Sequence, residues 1–119
     1  MPLLAITDLP HLPHVGISVD SRNDEEFWQD AFVVSEFERY RPAYGGEPTT
    51  QKVARLFSDD EGLYIHWTIT DPEPALIRAR HQRRDKIWRD DSVGFYLDTY
   101  GDAQRGYLFM CNALGSQAD

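Results

Sequence analysis

Cysteine is almost missing from this chain of 119 residues: Cys111 stands alone, so no internal disulfide can form and no thiolate cluster can hold a metal. Long apolar runs are missing too, and nothing approaches the roughly 20 residues that a membrane-spanning helix needs. Residues 1–13 carry neither a basic n-region nor an apolar stretch of secretory length, so no signal peptide is visible and the compartment stays open. Positive charge is scarce, with 12 Lys and Arg against 20 Asp and Glu and a formal net charge of −8. A field of that sign repels phosphates and disfavours non-specific binding to nucleic acid or to anionic membranes. Local catalytic signatures are also lacking: there is no nucleophile elbow, no HExxH, no P-loop and no recognisable Cys-His arrangement. Carboxylates are so abundant that a glycosidase-like pair can always be nominated, which makes the nomination uninformative. The expectation is a non-catalytic protein.

What is present is enough for a core. Apolar residues make up 41% of the chain and aromatics 13%, which argues for a folded globule of one domain rather than disorder. Pro2, Pro10 and Pro13 punctuate residues 1–13 and predict an extended lead-in, because each proline removes an amide donor. A first strand is expected over 15–19, with Val15, Ile17 and Val19 on one face. Asp24 is placed to cap a helical turn that buries Phe27, Trp28 and Ala31, and 32–39 is a second strand candidate. Pro42, Gly45, Gly46 and Pro48 predict an irregular loop over 41–50, with Tyr40 and Tyr44 on it.

Residues 51–57 and 63–70 flank the polar connection 58–62, a hairpin signature. In its second arm Leu63, Ile65, Trp67 and Ile69 share one face, and Tyr64, His66, Thr68 and Thr70 the other. Asp59, Asp60 and Glu61 read as a solvated tip. Pro72 and Pro74 end that arm, and 75–81 follows as either a helix or a strand. A second hairpin pairs 93–99 with 106–112 around Gly101 and Asp102. Short strands at this spacing predict an all-β protein, an antiparallel β-sandwich, of which 14–119 would be the N-terminal portion. Strand 106–112 reads as interior, and Gly115 to Asp119 have turn composition with no closing element behind them. The expected remedy is either further strands in a longer polypeptide or a homodimer across the open edge.

The stretch 86–100 concentrates the chemistry. Trp88 follows a charged run and precedes the alternating residues Val93, Phe95 and Leu97, so its indole stands apart from the core face and is a candidate stacking platform or an edge cover. Asp90 and Asp91, with Asp71 or Asp98, are candidate calcium ligands, since hard cations gather several carboxylate oxygens. The competing reading has Asp90 and Asp91 accepting backbone N–H groups or pairing with arginines. Arg78, Arg80, Arg83, Arg84, Lys86 and Arg89 place half of the Lys and Arg within twelve positions. Asp85, Asp90 and Asp91 can offset that charge internally, and an anionic polysaccharide or lipid head group is the external alternative.

The ordered set Glu61-Gly62-Leu63-Tyr64-Ile65, Asp71-Pro72, Trp88-Arg89-Asp90-Asp91-Ser92-Val93-Gly94-Phe95-Tyr96-Leu97-Asp98, Gly106-Tyr107-Leu108-Phe109 and Asn112 resembles carbohydrate-binding module family 9. The likeness is greatest to the module at the N-terminus of certain bacterial outer-membrane-barrel proteins, where motifs such as Arg83-Arg84-Asp85 and Asn112-x-x-Gly115-x-Gln117-x-Asp119 also recur. The resemblance implies a jelly-roll sandwich that binds oligosaccharide or polysaccharide, structural calcium, and a periplasmic or cell-surface location beside an envelope or polysaccharide-processing partner domain. It places ligand binding at Trp88, Tyr96 and Asn112. The family's sugar-contacting glutamate and arginine fall at Gly94 and Met110, neither of which can make those side-chain hydrogen bonds. Similar sandwiches also include haem-binding electron-transfer domains, for which His66 and Met110 would be the axial pair. A sandwich that has lost sugar binding and serves a structural or interaction role is the remaining alternative.

Overall fold

A computed structural model describes residues 9–13, 16–22, 24–37 and 50–119. Pro2, Val15, Arg39, Tyr40 and the expected loop 41–49 with Tyr44 lie outside the described residues. The strands are β1 (Phe32–Val34), β2 (Gln51–Ser58), β3 (Leu63–Thr70), β4 (Ser92–Leu97), β5 (Tyr107–Asn112) and β6 (Gln117–Ala118). They form two three-stranded antiparallel sheets, β1-β2-β3 and β4-β5-β6, with no α-helix among the described residues. The protein is all-β. The chain divides into two compact units, Met1–Pro72 and Glu73–Asp119.

In the first unit β2 and β3 pair along their whole length, from Gln51 opposite Thr70 to Ser58 opposite Leu63. Register puts Phe57 opposite Tyr64 and Arg55 opposite His66, so these four share a face. Phe57 is fully buried there, with Trp28 edge-on at 4.9 Å and Tyr64 stacked at 5.2 Å between ring centroids. Ala31, Phe27, Leu12 and Ile17 complete the cluster. The fully buried core therefore lies on the Tyr64 and His66 side of β3, because its partner strand supplies Phe57 on that side. The face bearing Ile65 and Trp67 is half-buried, with Phe37 against Trp67 at 5.8 Å.

Four sequence expectations are corrected in this unit. Residues 16–19 form no strand: Gly16 takes φ +63, which turns the chain, and only Ile17 packs inward while Val19 is 90% exposed. The helical turn forms as a 3-10 helix, Glu26–Asp30, but Glu25 occupies the cap without a side-chain bond; burial of Trp28 rather than a cap at Asp24 fixes it. The hairpin tip is not merely solvated. Asp59 is buried, and its Oδ1 accepts the N–H groups of Glu61 and Gly62 at 2.8 and 3.1 Å. The expected strand at 32–39 closes at Val34, and Ser35, Glu36 and Phe37 leave the ladder.

The described part of the lead-in, 9–13, lies along this sheet. Ser58 donates its N–H to Pro10 O at 2.9 Å and accepts Leu12 N–H at 2.8 Å, a parallel bridge centred on His11. Proline suits these flanks because Pro10 is asked only to accept.

In the second unit a 3-10 helix at Pro74–Leu76 leads into irregular extended chain, so of 75–81 only Ala75 and Leu76 are helical and no strand forms. Strands β4 and β5 pair from Ser92 opposite Asn112 to Leu97 opposite Tyr107, with Phe95 and Phe109 stacked at 5.2 Å. Beyond Asn112 the chain does not simply turn. Gly115, at φ +82, reverses it and lets Gln117 and Ala118 pair with Cys111 and Met110 as β6, which makes β5 the central strand. Ala118 and Ile87 are buried.

Candidate functional site

Ile87 and Asp90 close a β-turn through the Asp90 N–H to Ile87 O bond at 2.8 Å, and Trp88 and Arg89 are its two central residues. Both ends of the turn are buried: Ile87 is fully enclosed and the Asp90 carboxylate is covered. Both central side chains are exposed, and Trp88 shows 59% of its surface to solvent. The indole is nevertheless fixed. Its Nε1–H donates to Asp85 O at 2.8 Å, which anchors one edge and leaves the ring free to meet a ligand.

Asp85 can serve because its own conformation is held. It takes φ +65, an uncommon state for a non-glycine residue, in a turn closed by Lys86 N–H to Arg83 O at 3.2 Å. Asp85 N–H donates to Gln117 O at 2.9 Å, and Asp85 Oδ1 accepts Asp119 N–H at 3.0 Å. Arg84 reaches the same strand end, donating to the Asp119 carboxylate and to Gln117 Oε1. The two short motifs 83–85 and 112–119 are thus one another's partners: the first is the loop that presents Trp88, and the second is the strand end to which that loop is tied.

Asp90 and Asn112 form the base of the loop. Asp90 accepts Arg80 Nε and Nη2 on Oδ1 at 3.1 and 2.9 Å, and Arg80 N–H and Asn112 Nδ2 on Oδ2 at 3.1 and 3.0 Å. Burial opposes ionisation of this carboxyl, but the bonds from Asn112 and Arg80 outweigh it and hold Asp90 below the ordinary carboxylate range. Asn112 is only 4% exposed and uses every hydrogen-bonding position of its amide: Nδ2 also donates to Arg80 O at 2.7 Å, and Oδ1 accepts the N–H groups of Leu114 and Ser116 at 3.0 Å each. Asn112 therefore positions the loop and has no amide atom left for a sugar. Tyr96 is exposed on β4, opposite Leu108.

The carboxylates nominated for calcium are distributed among separate tasks. Asp91 Oδ2 accepts Arg78 N–H at 2.7 Å while its own N–H returns to Arg78 O. Asp98 receives the N–H groups of Tyr100, Gly101 and Ala103, and the bond from Ala103 leads in lowering its pKa. That carboxylate organises the β4–β5 connection, in which Asp102 likewise holds Gln104 and Arg105 and Arg105 lies 4.0 Å over the Tyr100 ring. Asp71 sits beyond the end of β3, half-buried. Among the described residues no group of three or more His, Cys, Asp or Glu is placed to hold a metal ion.

Of the six clustered cations, Arg80 and Arg84 are paired, with Asp90 and Asp119 respectively. Arg78, Arg83, Lys86 and Arg89 make no ion pair among the described residues. The haem candidates are each engaged: His66 Nε2 lies 3.0 Å from Ser21 O, a contact in which it must be the donor, and Met110 lies over Gly94.

One constellation escaped sequence reasoning. His11 Nδ1 lies 3.0 Å from Ser58 Oγ and His11 Nε2 lies 3.1 Å from Asp60 Oδ1, the residue types of a hydrolase triad. Its His and Asp are exposed, and the bonds tie the lead-in to the hairpin tip. Nothing in the spacing of residues 11, 58 and 60 announces it. Among the described residues no helix is long and apolar enough to cross a membrane. Comparison of the chain with profiles of known protein families, with curated proteins and with solved structures finds no match.

Proposed function

We propose that this chain is a non-catalytic saccharide-binding module whose ligand stacks on Trp88. The observation that carries the reading is the exposure of an indole whose edge is pinned and whose turn is buried at both ends. Large aromatic faces matched to the C–H face of a pyranose are how proteins hold sugars without strong charge, and such a face is useful only when it is both accessible and fixed. The two sheets are read as parts of one jelly-roll sandwich, in keeping with the likeness to carbohydrate-binding module family 9. An envelope or polysaccharide-processing setting, periplasmic or at the cell surface, and structural calcium follow from the same likeness.

A second reading has a specific observation in its favour. Gly94 and Met110, where the family keeps its polar sugar contacts, are a cross-strand pair with no room for a side chain on Gly94. A sandwich retained for structural or interaction purposes would tolerate that loss.

Titration of the protein with a panel of oligosaccharides, followed by tryptophan emission and calorimetry, separates the two. A module of the first kind shows saturable binding that Trp88→Ala weakens about tenfold or more, in line with a stacking contribution of roughly 1–2 kcal/mol. Binding unchanged in that variant removes Trp88 from the site, and no binding across the panel favours the second reading. Sustained release of shortened products by repurified protein would instead make it an enzyme.

A further inference from the structure

Resting on the saccharide reading, we infer that the Trp88 turn takes an acidic saccharide, a uronate-containing chain whose pyranose face lies on the indole and whose carboxylate is gripped by Arg89. Trp88 and Arg89 are adjacent central residues of one turn and both are exposed, so an aromatic face and a guanidinium are offered side by side. Lys86 and Arg83 precede them in the same loop, also exposed.

These cations make no direct ion pair among the described residues. The loop contains three acids, and each is committed elsewhere: Asp85 to the amide of Asp119, Asp90 to Arg80 and Asn112, and Asp91 to the amide of Arg78. In a molecule with a formal net charge of −8, an ion-pair partner would be easy to supply, yet Arg83, Lys86 and Arg89 have none among the described residues. The planar fork of Arg89 matches a carboxylate through two parallel N–H bonds, which a neutral hexose cannot reciprocate. The formal net charge of −8 argues against long phosphate polymers and lipid bilayers, whose extended charge would meet the field of the whole molecule, whereas a short uronate chain meets only the local patch.

The test compares oligogalacturonate and oligomannuronate with their methyl esters, which keep the sugar and remove the charge, and adds phosphatidylglycerol vesicles as a separate arm. At low salt a free-acid oligomer is expected to bind about tenfold more tightly than its ester, an advantage that shrinks as salt rises. Arg89→Gln should collapse that advantage, and Arg105→Gln, whose guanidinium is already paired with Asp102, should leave it intact. Equal affinity for acid and ester, with both weakened in Trp88→Ala, overturns the acidic preference while the saccharide reading stands. Failure of every saccharide to bind overturns both. Vesicle binding lost in Arg89→Gln, without uronate binding, assigns the patch to a membrane surface and overturns the inference.

Discussion

Gly94 and Met110 stand directly opposite each other in the β4–β5 register, and Met110 Cγ lies 2.7 Å from where a Cβ on Gly94 would be. The Phe109 carbonyl oxygen lies closer still, at 2.5 Å, and being backbone it cannot rotate away. Gly94→Ala is therefore expected to cost about 1–3 kcal/mol, read as a lower urea midpoint with an unchanged slope. Met110→Ala in the same chain should relieve only the side-chain part of that clash.

Asn112→Ala removes two donors and an acceptor shared by Arg80, Asp90, Leu114 and Ser116. A loss of about 2–4 kcal/mol is expected, since buried partners are left unsatisfied. Amide hydrogen exchange at Leu114 and Ser116 should accelerate more than exchange in β2 and β3. Uniform acceleration across the chain would show that the loop base is not a local unit.

Acid should destabilise the second unit through Asp90, Asp98 and Asp102. Each is held below the ordinary carboxylate value: Asp98 chiefly by the Ala103 amide, Asp102 chiefly by the Gln104 amide with Arg105 adding, and Asp90 by Asn112 and Arg80 against the cost of burial. A depressed folded-state pKa gives stability that is complete above the unfolded value, near 4, and that is lost as pH falls below it. Urea midpoints should be flat from pH 7 to about pH 5 and drop towards pH 3. Asp98→Asn should flatten that drop; an unaltered acid limb would show that Asp98 does not contribute.

Burial pushes the Cys111 thiol up from its ordinary pKa, so the nucleophilic thiolate is scarce at neutral pH. Iodoacetamide labelling of the folded protein should be slower than that of the urea-unfolded chain and should rise steeply under alkaline conditions. Equal rates at pH 7 would contradict the burial of Cys111.

Phe57→Ala should cost about 3–5 kcal/mol, because Phe57 is the fully buried contact for Trp28 and Tyr64. Trp88→Ala should stay within about 0.5 kcal/mol of the parent, as expected for an exposed side chain whose single hydrogen bond is to a carbonyl oxygen. Chemical denaturation of the two variants side by side distinguishes a core tryptophan environment from a displayed one.

Both hairpins were legible because alternation is local: Leu63 to Thr70 and Val93 to Leu97 reveal their period without reference to partners. Trp28 as core and Trp88 as an outlier from the core face were legible for the same reason. What was not legible depends on distant pairs. Asn112 and Arg80 are 32 residues apart and Arg84 and Asp119 are 35 apart, so their bonds leave no periodic trace. The composition of 115–119 suggested a turn because a two-residue strand is too short to alternate, and only the register with Met110 and Cys111 reveals it. The segment 15–19 alternates on paper, yet Gly16 takes a left-handed conformation that overrides the pattern.

The turn at 87–90 has a thermodynamic consequence for recognition. Fixing a loop residue costs on the order of 1–2 kcal/mol of conformational entropy, and here that cost is met during folding by Ile87, Asp90 and the indole's bond to Asp85 rather than at the moment of binding. A ligand meeting Trp88 and Arg89 would find the indole already seated and the backbone already ordered. Association should then be a single step whose observed rate rises linearly with ligand concentration, with no slow loop-closing phase, and differences among ligands should fall on their dissociation rates.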